Sequence, residues 1–216
     1  MPTPSVFIIG DSISCYYGRH LEGMLRGQFR YDRKGGTHKL KNLDDGTDGV
    51  NGGDSRMVLA YLTGMLKHRS FRPDWLLLNC GLHDVKTDLA TCQRQVGIGE
   101  YQDNLRTISA MVRQRDIRLV WVRSTPVNDR YFHDREVPAS LATSRFNADI
   151  VRYNRVADRV MRGQGVPILD LYTFTRNLGA GVYSDNVHFN ETGAMAQAAF
   201  LAGCLFRLRD ERALAR

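Results

Sequence analysis

The chain has 216 residues, a length that suits one domain and exceeds that of a disulfide-stapled miniprotein. Hydrophobic residues make up 43 % and charged residues 25 %, which excludes disorder as a whole-chain answer. Lysine and arginine outnumber aspartate and glutamate by 30 to 23, a net +7 that suits anionic partners. The charge is spread rather than blocked, and no nucleic-acid motif accompanies the denser stretches at 26–41 and 113–118, so nucleic acid is not the expected partner. The longest apolar runs fall far short of the roughly 18 residues of a membrane span, and stable membrane insertion is not expected.

The first residues, Met-Pro-Thr-Pro-Ser, carry no basic leader or small-residue cleavage site, and a cytoplasmic location is the expectation. An apolar run at 6–9 predicts a first strand, and a weaker strand is expected somewhere between Gln28 and Leu43. Met57, Val58, Tyr61 and Met65 recur at helical spacing, followed by a strand at 75–79. Tyr101, Leu105, Ile108 and Val112 predict the next helix and 119–122 the next strand. Ile150, Tyr153, Ala157 and Val160 then precede a strand at 166–169, and a last helix carries Ala194, Ala198, Leu201, Leu205 and Leu208. Strands alternating with helices predict an α/β architecture, a parallel sheet covered on both faces. Arg33 to Asp54 and Arg123 to Arg145 are long stretches without period, expected to shape a pocket. Cys15, Cys80, Cys92 and Cys204 are scattered without zinc-ligand or disulfide spacing, so reduced thiols are expected.

The first strand ends in Gly10-Asp11-Ser12-Ile13-Ser14, placing Ser12 past the carboxyl end of a parallel strand, where open α/β sheets put their ligands. Asp11 or Ser12 can equally serve as a helix cap. Ser184-Asp185-Asn186-Val187-His188 sets a carboxylate and an imidazole three residues apart before the last helix. His188 can take a serine proton and Asp185 can fix its tautomer, although an ordinary surface pair has the same spacing. Asn51-Gly52-Gly53-Asp54-Ser55 lies just before a helix, where glycine lets a backbone N–H approach a ligand and Asp54 or Ser55 can cap. Asn79-Cys80-Gly81-Leu82-His83-Asp84 follows the strand expected beside the first, so a donor from His83 can reach an oxyanion that develops in acyl transfer at Ser12.

Taken in chain order, 10–14, 51–55, 79–84 and 184–188, these four segments resemble the SGNH or GDSL-like hydrolase family over Gly10 to Asn190. The resemblance implies a flavodoxin-like three-layer α/β/α sandwich with a five-stranded parallel sheet, in one domain over 1–216. It implies Ser12 as nucleophile, Asp185 and His188 as its triad partners, and an oxyanion hole from the Ser12 and Gly53 N–H groups. Where the family reads Gly-x-Asn-Asp, this chain reads Gly81-Leu82-His83-Asp84, so His83 stands at the place of the oxyanion asparagine. An imidazole N–H can fill that role. Asp84 is expected to support the loop.

The expected activity is hydrolysis of carboxylic esters, short-chain acyl or O-acetyl sugar esters first, with neither metal nor organic cofactor. The same triad could pass its acyl group to a sugar or lipid hydroxyl. A non-catalytic binding module and a metal-dependent phosphoesterase are the other readings; the latter lacks the Asp-x-His that would open its metal site, because Asp11 is followed by Ser12 and Ile13. Lys86 could meet an anionic group at the site mouth. His133, with Arg130, Tyr131 and Arg135, could contact substrate, whereas His20, His38 and His68 have no partner pattern.

Overall fold

The structure, a computed structural model, describes residues 3–36, 49–131 and 143–214. In chain order the elements are β1 (Ser5–Ile9), α1 (Ser12–Leu25), β2 (Arg30–Arg33), α2 (Ser55–Met65), β3 (Trp75–Leu78) and β4 (Thr87–Asp88). They continue with α3 (Ile98–Arg113), β5 (Arg118–Val122), β6 (Thr143–Ser144), α4 (Asn147–Gly163), β7 (Ile168–Leu169), α5 (Leu171–Asn177), a 3-10 turn (Ala180–Val182) and α6 (Glu191–Leu214). Five strands form one sheet in the order β2-β1-β3-β5-β7, and every pair in it is parallel. This is the flavodoxin-like order. The short β4 and β6 pair separately and antiparallel.

Parallel crossovers are right-handed, which decides the face each helix covers. The chain passes from β1 outward to β2 and then back across to β3, so α1 and α2 lie on opposite faces. The steps to β5 and β7 continue in the second direction and keep α3 and α4 beside α2, with which α3 packs. α6 packs on α1 and α5 on α6, completing the other layer. With both faces covered, β1, β3 and β5 are apolar nearly throughout: Val6 to Ile9, Trp75 to Leu78 and Leu119 to Val122 are all buried.

The four predicted helices and all five sheet strands are present. The expected weak strand is β2, an edge strand whose Arg30 and Asp32 face solvent, which is why no apolar run marks it. α1 is not among the predicted helices, although it buries Ile13, Tyr17, Leu21 and Leu25 at helical spacing; Ser14, Cys15 and Gly18 are buried beside that stripe. A Cβ on Gly18 would stand 2.7 Å from Arg33 Nη1, so this glycine makes room for a buried guanidinium. Arg33 donates from Nη1 to Ser14 O at 3.0 Å, and from Nη2 to Cys15 Sγ at 3.0 Å and Val50 O at 3.2 Å. It thereby ties the first turn of α1 to the segment that leads into α2. All four cysteines are free thiols, Cys15 and Cys80 buried. Among the described residues no helix is long and apolar enough to cross a membrane.

Arg33→Met leaves these buried acceptors without their donor and is expected to destabilise the protein by about 2–3 kcal/mol in urea unfolding. Arg33→Lys is expected to recover only a small part, because an ammonium cannot reproduce the planar fork.

Candidate active site

β1 lies between β2 and β3, and the connections leaving it and its neighbour run to opposite faces, which opens a crevice at the carboxyl ends of the strands. Gly10-Asp11-Ser12 sits at this point. Asp11 caps α1, its Oδ1 accepting from Ile13 N–H at 3.0 Å, and Ser12 is the first residue of the helix. The Ser12 N–H is one of the groups that a helix leaves without an intrahelical acceptor. Capping and presentation of the serine, alternatives in the sequence, are combined in one turn.

The 184–188 loop brings His188 to Ser12, with Ser12 Oγ 2.9 Å from His188 Nε2 and His188 Nδ1 2.7 Å from Asp185 Oδ2. Asp185 Oδ1 accepts the Val187 and His188 backbone N–H groups at 2.7 and 2.6 Å, so one carboxylate folds its own loop and orients the ring. The loop is moored by Tyr131 Oη, which donates to Ser184 O at 2.8 Å, and by Asn128 N–H, which donates to Asn186 O at 2.8 Å. Burial works to raise the Asp185 pKa, but the hydrogen bonds from His188 and Val187 outweigh it and hold the group well below the usual carboxylate range. An ionised Asp185 only accepts, which puts the imidazole proton on Nδ1 and leaves Nε2 free to accept from the Ser12 hydroxyl. Tyr16, one turn along α1, meets the His188 ring edge-on at 5.6 Å between centroids.

The second and third segments close the same cavity, of about 480 Å³, which Ser12, Asn51, Gly53, His83 and His188 all line. Gly52 N–H donates to Gly10 O at 2.8 Å, docking the Asn51–Ser55 turn against the Ser12 turn. Gly53 has φ +69°, and a Cβ there would meet Met57 Sδ at 2.4 Å. Its N–H donates to Asn51 Oδ1 at 2.9 Å, and Asn51 Nδ2 lies 3.4 Å from His83 Nε2. Asn51 therefore spans the two positions expected to supply oxyanion donors, a role its place in the sequence did not announce. Asp54 caps α2, accepting from Arg56 and Met57 N–H. Asp84 accepts from Ser55 N–H with both oxygens, at 3.0 and 3.1 Å, and supports the loop as expected.

Lys86 and Arg145 also line the cavity. Arg145 ends the aperiodic stretch expected to shape a pocket, but no motif around it marks it individually. His20 faces Glu191 Oε1 at 3.0 Å and His68 is exposed, away from this site. His38, His133 and Arg135 lie outside the described residues. Asp11, Asp54, His83, Asp84, Asp185 and His188 include no metal site: among the described residues no three His, Cys, Asp or Glu side chains could hold a metal ion. A second cavity, of about 550 Å³ between β2 and the stretch leading to β3, includes His68 and Ser70, with no hydrogen bond between a serine hydroxyl and a histidine among its described residues.

The sequence model of the GDSL-like Lipase/Acylhydrolase family matches residues 8–196, and the chain belongs to that family. No curated protein matches the sequence. Among solved structures, the chain is similar to the acetyl xylan esterase AlAXEase, with 14 % identity, 93 % of this chain and 98 % of that chain covered, and a TM-score of 0.68. It is also similar to an alpha/beta hydrolase enzyme from the metagenome of Lake Arreo, Spain, at 19 % identity, 94 % and 96 % coverage and a TM-score of 0.68. An acetylxylan esterase from Geobacillus stearothermophilus matches at 16 % identity, 93 % and 94 % coverage and a TM-score of 0.64. At such identities these likenesses speak to the fold.

Burial raises the Asp11 pKa from 3.8 to about 6, against the Ile13 N–H and the charges of Arg145 and His188. A carboxyl whose pKa is higher folded than unfolded stabilises the fold fully below its unfolded pKa, and that contribution is lost as pH rises through the folded value. The rise from 3.8 to about 6 corresponds to on the order of 3 kcal/mol. Asp11→Asn keeps a capping oxygen and removes the titration. Its Tm is expected to gain on the wild type as the pH is taken from 4 to 7, and a constant difference would contradict this origin.

Proposed function

We propose that this chain is a serine esterase that hydrolyses short-chain acyl or O-acetyl esters, sugar acetates among them, through an acyl-enzyme on Ser12. The observation that carries this reading is the continuous relay from Ser12 Oγ through the His188 ring to Asp185 at the mouth of the crevice. Membership of the GDSL-like lipase/acylhydrolase family supports it. The short acyl group is suggested by a wall with few apolar side chains, Met57, Leu82 and Val187, and by structural neighbours described as acetyl xylan esterases.

In this mechanism Ser12 Oγ bonds to the carbonyl carbon as its proton passes to His188 Nε2, and the imidazolium is stabilised by the ionised Asp185. The carbonyl oxygen, now an oxyanion, takes hydrogen bonds from the Ser12 and Gly53 N–H groups and the His83 ring. Without substrate, Asn51 Oδ1 occupies the Gly53 N–H, so the oxyanion displaces a neutral amide oxygen from that donor. Collapse expels the alkoxide, which receives the proton from His188. A water then gives its proton to the same nitrogen, attacks the acyl carbon and releases the acid, restoring the serine hydroxyl. No step calls on a metal or organic cofactor.

Hydrolysis of a p-nitrophenyl ester series from acetate to octanoate tests this reading, with the highest kcat/KM expected at the short end and EDTA expected to have no effect. Ser12→Ala is expected to remove the activity while leaving the unfolding midpoint near that of the wild type; retained turnover would refute the serine mechanism. At His83, asparagine is expected to preserve much of the rate, whereas alanine is expected to lower kcat on the order of 10²-fold. Equal rates for His83→Ala and wild type would remove His83 from the oxyanion hole.

A further inference from the structure

Two cations face the cavity beside Ser12, and neither has a carboxylate partner among the described residues. Lys86 is delivered there by a fixed backbone, its N–H donating to His83 O at 3.2 Å and its C=O accepting from Gln95 N–H at 2.8 Å. Its ammonium makes no ion pair among the described residues. Arg145 reaches in from the opposite side of the sequence and donates from Nε to Leu82 O at 2.6 Å. That bond fixes the base of the guanidinium and leaves the rest of its fork for other acceptors.

The carboxylates near them are committed elsewhere. Asp185 holds His188, Asp54 takes Arg56 Nη2 and Gln95 Nε2 at 2.8 Å each, and Asp84 takes the Ser55 N–H. Asp11 is buried beneath Ser12 against the Ile13 N–H. Charges of one sign on the walls of a concave, partly dehydrated site concentrate the opposite sign there. Arg145 feels the charges of Asp11 and Asp185 without forming an ion pair with either, and the Lys86 ammonium has no ion pair among the described residues, so both can meet a ligand that brings negative charge.

We propose that Lys86 and Arg145 form an anion subsite and that the ester turned over here carries a carboxylate close to its scissile bond. This rests on the esterase reading above and narrows it from esters in general to anionic ones. The walls offer the carboxylate one bidentate partner, the guanidinium, and one point charge, the ammonium. No carboxylate, which would favour a cationic alcohol, is in the described lining, in which Asn51, Gln95 and Tyr16 are the other polar groups besides the triad and oxyanion-hole residues.

Two matched substrate pairs test the subsite: 4-acetoxybenzoate against its methyl ester, with the charge in the alcohol half, and p-nitrophenyl hydrogen succinate against its methyl ester, with the charge in the acyl half. Each kcat/KM is divided by the rate of hydroxide hydrolysis of the same compound, which removes leaving-group differences. The anionic member of at least one pair is expected to lead by about tenfold or more, and the lead is expected to shrink in about 0.5 M NaCl. In Lys86→Met the ratio is expected to fall toward one, and in Lys86→Glu to invert. Neutral members that match or exceed the anionic ones in both pairs, or a ratio indifferent to Lys86→Met and Arg145→Gln, would overturn the proposal. If none of the four is hydrolysed, the esterase reading fails by itself. Calorimetric binding of 4-acetoxybenzoate and its methyl ester to the full chain still decides the subsite: tighter binding of the anion, lost in Lys86→Met, supports it, and equal binding overturns it.

Discussion

The site depends on one turn, Gly10 to Ser12, at the carboxyl end of β1, the second strand of the sheet. Its position follows from topology: β1 is where the strand order reverses, β2 being added on one side and β3 on the other, and its ladder to β3 continues into the Asn79 N–H donating to Ile9 O at 2.9 Å. Four separate stretches of chain are then fastened to it. Gly52 N–H is bonded to Gly10 O, Arg33 ties Ser14 O to Val50 O, the Ser12 hydroxyl meets His188, and the third segment lies beside it through the β3 ladder. A nucleophile on a helix N-terminus is presented to solvent by construction, with backbone donors already pointing the same way.

Around this turn the same functional group is put to three uses by its surroundings. Asp185, half exposed and bonded by three donors, is held ionised and can stabilise a neighbouring imidazolium. Asp11, buried with a single backbone donor to its side chain, is pushed up to about 6 and serves the helix end. Asp84 is pushed up to about 7 by burial and receives the Ser55 N–H, which welds the third segment to the start of α2. Identity of residue type therefore says little about role here. The number of donors per carboxylate and the depth of burial separate the one that faces His188 from the two that hold the scaffold.

Much of this was legible in the residues. Apolar runs marked β1, β3, β5 and β7 because a strand covered on both faces must be apolar at successive positions, and the helical stripes of α2, α3, α4 and α6 followed from their single buried faces. Ser12, His83 and the Asp185–His188 pair could be chosen because short spacing and adjacency to strand ends constrain where they lie, whereas Gly53 is singled out by the family resemblance. Less visible were features whose signal is spatial. In α1 the stripe Ile13, Tyr17, Leu21 and Leu25 has helical spacing, but the room that Gly18 leaves for the Arg33 guanidinium shows only in the fold. Asn51 is an unremarkable turn residue until its amide is seen spanning Gly53 N–H and His83. Arg145 is distant in sequence from every segment it meets, and only the fold brings it to the cavity.

The central claim is that this relay makes Ser12 the reactive nucleophile, and covalent labelling tests it without assuming a substrate. The full chain would be treated with a fluorophosphonate ester, and the adduct counted by intact mass and located by peptide mapping. One adduct on Ser12 is predicted, slowed by orders of magnitude in His188→Ala and Asp185→Asn while both variants remain folded. An unlabelled Ser12 in folded wild-type protein, or labelling at an equal rate in His188→Ala, would contradict the account.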